Sequence, residues 1–140
     1  AQAEKQMLQN TQSGFEARRV NIQKLKPLVS EKAILAARQA VKQIKVEEQI
    51  LDYLLALTHK TRQSRDLSLG ASPRSSVSWL QASKAHAWLQ GQDYVTPDNV
   101  KAIAAPLLRH RLILGPEAQL DGLTTDTVIT SLLQQVAVPR

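Results

Sequence analysis

The chain has 140 residues, enough for one compact core or a small core plus an arm, and its 43% hydrophobic content excludes a mostly disordered protein. Aromatics are only 4%, so Leu, Ile, Val and Ala must build the core; the absence of cysteine excludes disulfides and cysteine-ligated zinc and fits a reducing cytoplasm. The net charge of +6 lies mostly in residues 1–70, where 12 Lys and Arg face 7 Asp and Glu, and no apolar run approaches the roughly 20 residues of a membrane span.

No signal peptide opens the chain, and its first residue is Ala1 rather than Met, so it reads as a segment of something longer. Residues 4–10 read as a short polar helix. Residues 11–29 lack a sustained period and contain Pro27, which predicts an irregular connector anchored by Val20, Ile22 and Leu25. Ser30 then offers a cap, with Glu31 in the first turn, for a helix to about Ile44. Ile34, Ala37, Val41 and Ile44 recur on it at helical spacing and are expected to form its buried stripe, while Arg38, Lys42 and Lys45 make a basic ridge on another face.

A helix from Glu47 and Glu48 carries Ile50, Leu51, Leu54, Leu55 and Leu57, and its apolar content marks it as the central core helix. It is expected to fade into the polar, basic stretch 61–69, with Gly70 as the break. Ser72 as cap and Pro73 at the first helical position open a further helix, which stops at Gly91. Thr96-Pro97-Asp98 repeats that opening, and Val100, Ile103, Ala104, Leu107 and Leu108 follow on one face. Thr124 caps a last helix with Val128, Ile129, Leu132, Leu133 and Val136 inward. Arg111–Leu114 alone suggests a short extended piece. The pattern is that of an all-α helical bundle of about five helices, preceded by a short N-terminal helix and connector.

Catalytic motifs are missing. A phosphate-cradling loop needs Gly followed by Lys and a hydroxyl residue, and none of the five glycines is followed by Lys. No Asp precedes a Glu, so an adjacent acid pair for a metal is absent. His59, His86 and His110 lack the i, i+4 spacing of a helical zinc site, and no G-x-S-x-G elbow supports a hydrolase. The segment by itself reads as non-enzymatic.

Arg74 breaks a local rule. The caps place it at the second position of its helix, where the helix end is partly positive and a cation is unfavourable by about 0.3–1 kcal/mol. That same end attracts anions through its free N–H groups. Two readings follow: the guanidinium lies in water at little cost, or it and the helix end hold a phosphate together.

Gly70-Ala71-Ser72-Pro73-Arg74-Ser75 resembles the G-A-S-P-R-[AS] signature in the C-terminal helical lid of MoxR-type AAA+ ATPases. Three further segments resemble that family in the same order: Ile50–Leu54 (V-L-D-Y-[IL]), Gly91–Val100 (G-R-D-Y-V-T-P-[ED]-D-V) and Pro106–Leu114 (P-V-L-x-H-R-[LI]-x-L). The resemblance covers residues 28–138. Glu47 departs from the Ser that relatives often carry and Asn99 from their usual acid, while residues 1–29 match poorly.

The resemblance implies that residues 30–140 are the lid and residues 1–29 the connection from an ATPase core upstream. Arg74 would be the sensor-2 residue, reaching the terminal phosphates of ATP, with Gly70, Ser72 and Pro73 setting the backbone that aims it. ATP and Mg would be held by the core, leaving no catalytic or metal residue in this segment, while the full-length protein would be an ATPase. It further implies partner subunits in a ring, commonly a hexamer, chaperone-like remodelling, and a von Willebrand factor A-domain partner. A second reading is a basic helical nucleic-acid-binding module, motivated by Arg38, Lys42 and Lys45 together with Arg18, Arg19, Lys24 and Lys26. Tyr53, Trp79, Trp88 and Tyr94 are not interleaved with those cations in sequence, which argues against it; Trp79 and Trp88 are expected to pack in the core or on the lid face.

Overall fold

The structure is a computed structural model and describes residues 1–14 and 26–139. The expected anchors Val20, Ile22 and Leu25 and the cations Arg18, Arg19 and Lys24 lie outside the described residues. The chain divides into two compact units, residues 1–34 and 35–140.

In the first unit, α1 (Gln2–Gln12) is polar, and none of its residues is buried. Gly14, at φ +88°, follows its last turn in the left-handed region open to glycine. Helix α2 (Glu31–Gln43), which belongs to the second unit from Leu35 onward, opens where Ser30 Oγ accepts the Ala33 N–H at 3.2 Å. Its expected stripe needs correction. Ile44, just past the helix end, is buried, whereas Ala37 and Val41 are half-buried and Ile34 is 50% exposed. The periodicity correctly gives a helix, but α2 contributes no fully buried residue.

In the second unit, α3 (Glu48–Gln63) is the central helix, as its apolar content predicts. It buries Ile50, Tyr53, Leu54, Leu57, Thr58 and Thr61, one continuous face at helical spacing. It does not fade at Thr61, because both threonine hydroxyls are satisfied along the helix: Thr58 Oγ1 donates to the Leu54 carbonyl at 2.9 Å and Thr61 Oγ1 to that of Thr58 at 2.7 Å. Leu51 and Leu55, which add to that apolar content, are 39% and 47% exposed.

After α3 the chain forms β1 (Leu67–Leu69), and much later β2 (Ile113–Leu114) pairs with it antiparallel, Leu67 opposite Leu114 and Leu69 opposite Ile113 with an irregularity between. Helix α4 (Pro73–Leu89) ends as Gly91 predicts. With Gly91 at φ +72°, its N–H donates to the Trp88 carbonyl and the Gln92 N–H to that of Ala87, closing the orphan carbonyls of the last turn.

Helix α5 (Pro97–Leu108) opens with a reciprocal cap between Thr96 and Asn99. A five-residue helix, α6 (Pro116–Leu120), has no counterpart in the sequence pattern, and α7 (Thr125–Gln135) is capped by Thr124 as expected. The core gathers Leu57, Trp79, Val100, Leu108 and Ile129 from α3, α4, α5 and α7. Trp79, 1% exposed, donates through Nε1 to the Val100 carbonyl at 2.8 Å and so ties α4 to α5. The fold is all-α with one small two-stranded ribbon. No helix among the described residues is long and apolar enough to cross a membrane.

Candidate functional site

The segment Gly70–Arg74 is held against the end of α3 by its backbone. The Ala71 N–H donates to Thr61 Oγ1 at 2.9 Å, and the Ala71 carbonyl accepts from Arg62 Nε at 2.7 Å. Ala71 is itself buried. Both polar groups of one buried residue are therefore paired to neighbouring side chains of one helical turn, which fixes that residue in place. From α4, Ser76 Oγ donates to Thr58 Oγ1 at 3.1 Å and adds a third tie to the same face.

Gly70 permits this approach. A Cβ there would lie 2.7 Å from Arg62 Cα and 2.8 Å from Arg62 N, backbone atoms that cannot move aside. Glycine is required here by close packing of two backbones.

Ser72 and Pro73 take the positions expected of them. Ser72 is the N-cap and accepts the Ser75 N–H at 3.2 Å, while Pro73 is the first residue of α4. Ser75 is buried beneath the cap and Ser72 Oγ lies 3.1 Å from its hydroxyl. Arg74 follows at the second position and is exposed. Among the described residues it has no ion-pair or hydrogen-bond partner, and the first turn of α4 carries no acid. The helix therefore starts with an unneutralised cation at its positive end, an arrangement that favours an anion in front of it.

The remaining candidates fall elsewhere. His59 and His110 are exposed, and half-buried His86 has Nδ1 3.2 Å from Asn99 Nδ2 at the start of α5. Among the described residues no group of three or more His, Cys, Asp or Glu is placed to hold a metal. Trp79 is buried in the core, whereas Trp88 is 37% exposed. Of the residues that hold the Gly70–Arg74 segment, Thr61 and Arg62 lie in the polar, basic stretch where the helix is expected to fade, and Thr58 lies just before it. The signal that could have found them is the spacing of Thr58 and Thr61, which continues the stripe from Ile50 to Leu57.

The AAA lid domain family matches residues 59–132, from the last turns of α3 to α7. The uncharacterized protein YeaC of Bacillus subtilis is 31% identical over 118 residues, covering 84% of this chain and 37% of YeaC. The chaperone MoxR1 of Mycobacterium tuberculosis is 34% identical over 104 residues, 68% of this chain and 28% of MoxR1. The crystal structure of a candidate ATPase from Cytophaga hutchinsonii superposes with a TM-score of 0.75 at 26% identity, over 88% of this chain and 41% of that one. The chain thus spans well under half the length of each of these proteins. It belongs to the AAA lid domain family, and within it to the lids of the MoxR type of AAA+ proteins.

Proposed function

We propose that this chain is the lid that closes over ATP bound by an ATPase core, and that Arg74 reads the terminal phosphates. The observation that carries this is Arg74, exposed and without a partner among the described residues, at the second position of α4 on a segment pinned to α3. A guanidinium and an open helix end converging on one phosphate give charge-assisted hydrogen bonds that strengthen as water is excluded. Gly70, Ser72 and Pro73 act through the backbone: the glycine allows the close approach, and the cap and proline set where α4 begins. By the family relationship, ATP and Mg are held by the core.

Loss of the γ-phosphate on hydrolysis removes a contact present only in the ATP state. The lid equilibrium shifts by the free energy of that contact, and the lid moves as a body. Residues 1–29 serve as the connection to the core. The parent protein assembles as a ring and turns the lid motion into chaperone-like remodelling, alongside a von Willebrand factor A-domain partner, in the cytoplasm. MoxR1, named a chaperone, supports the remodelling role by similarity.

ATP turnover by the protein carrying both lid and core tests this reading. Arg74→Ala is expected to lower turnover by roughly ten- to a hundredfold, the worth of one charge-assisted contact, with the thermal melt of the lid unchanged. Unaltered turnover in a folded variant removes the role assigned to Arg74.

A further inference from the structure

The basic ridge of α2 gains new neighbours in the fold. Lys84, from α4, donates through Nζ to the Lys42 carbonyl at 2.8 Å, so the cationic faces of the two helices meet. Lys45, just past α2, lies beside Tyr94 in a parallel bridge: its N–H donates to the Asp93 carbonyl and its carbonyl accepts the Val95 N–H, both at 2.9 Å. Tyr94 is 53% exposed, and Trp88, one turn after Lys84 on the same face of α4, is 37% exposed. Arg38, Lys42 and Lys45 are all exposed. Cations and aromatics separated in sequence thus share one surface.

We infer that this surface of Arg38, Lys42, Lys45, Lys84, Trp88 and Tyr94 docks an acidic segment of a protein partner that presents apolar side chains beside its carboxylates. Charge complementarity calls for an anionic occupant. Two observations choose protein over nucleic acid. Leu35, 51% exposed and one turn before Arg38 on the same ridge, extends the patch with aliphatic surface that rewards apolar side chains and gives nothing to a phosphate backbone. Glu47, Glu48 and Asp93 are exposed at the Lys45 end, so a continuous polyanion laid along the ridge would run into carboxylates. A short segment with a few acids stops before them. Exposed aromatics beside cations supply the anchors for such an interface.

The test titrates the 140-residue chain with a labelled peptide of about 18 residues bearing Glu on one helical face and Leu on the adjoining one. Its binding is compared with that of a scrambled peptide of equal composition and of single-stranded oligo(dT). The patterned peptide is expected to bind about tenfold more tightly than the scrambled one and to weaken as salt rises. The double variant Arg38→Glu, Lys42→Glu should lower its affinity about tenfold with the thermal melt intact, and Trp88→Ala should lower it while leaving the salt dependence in place. The milder pair Arg38→Gln, Lys42→Gln gives the same reading should charge reversal disturb α2. Equal binding of patterned and scrambled peptides, tighter binding of oligo(dT), or no peptide binding at low salt each overturns the proposal.

Discussion

Arg62 in the last turn of α3 donates through Nε to the carbonyl of Ala71 at 2.7 Å, across a distance of nine residues in sequence. Thr61 beside it takes the N–H of the same residue at 2.9 Å. Ala71 is thereby clamped from both sides, three residues before Arg74, and α4 starts from a point fixed on α3.

Thr61→Val keeps the shape of the side chain but leaves the buried Ala71 N–H without an acceptor. Stability should fall by about 1–3 kcal/mol, the cost of orphaning a buried donor. Urea unfolding of the variant measures it. A loss near zero would mean that water or a shifted loop replaces the hydroxyl.

Gly70→Ala should also destabilise, although a glycine-to-alanine change outside strained backbone ordinarily helps by stiffening the unfolded chain. The new Cβ would meet Arg62 Cα at 2.7 Å, and the overpacking should cost about 1–3 kcal/mol. The thermal midpoint of the variant reports the sign; a rise contradicts the close approach.

The caps, the fold class and the Gly70–Arg74 segment were legible because they depend on local chemistry. Ser72, Thr96 and Thr124 each accept the N–H three residues on, as a side-chain cap requires. Burial was less legible. Thr58 and Thr61 look like surface residues by type, and only the hydrogen bonds of the fold make them core. Ile34 and Val41 look like core by spacing, yet the period of a helix does not say whether another element covers its apolar face. The five residues of α6 are too few to show a period at all, and the pairing of Leu69 with Ile113 joins residues far apart in sequence.

Tyr53 supplies a pH-dependent prediction. Its hydroxyl is buried and has no partner among the described residues, and its pKa is raised above 10.0 by burial and then by the charge of Asp98. A raised pKa means that the folded state holds the proton more tightly, so this contribution is intact below pH 10.0 and is lost as pH climbs through the folded value. Tyr53→Phe should therefore flatten the alkaline fall in stability. At neutral pH it should leave stability unchanged or raise it by up to about 1 kcal/mol, since no hydrogen bond is lost. Urea melts at neutral and alkaline pH decide; a clear loss at neutral pH would reveal a partner for the phenol.

Asn99 completes the α5 cap. Its Oδ1 accepts the Thr96 N–H at 2.7 Å, and its Nδ2 donates to Gln92 Oε1 at 2.9 Å. Asn99→Ala should cost about 1–2 kcal/mol. Asn99→Asp, which keeps the acceptor and loses the donor, should fall between that variant and the parent in thermal melts. Equal melting of all three would mean that the cap contributes nothing.

The central claim is that Arg74 distinguishes ATP from ADP by its terminal phosphate. The most direct measurement compares the affinities of the slowly hydrolysed analogue ATPγS and of ADP for the protein carrying both lid and core, before and after Arg74→Ala. The affinity for ATPγS should drop roughly ten- to a hundredfold with that for ADP nearly unchanged, the difference made by one charge-assisted contact. Equal loss for both nucleotides, or no loss for either, would contradict it.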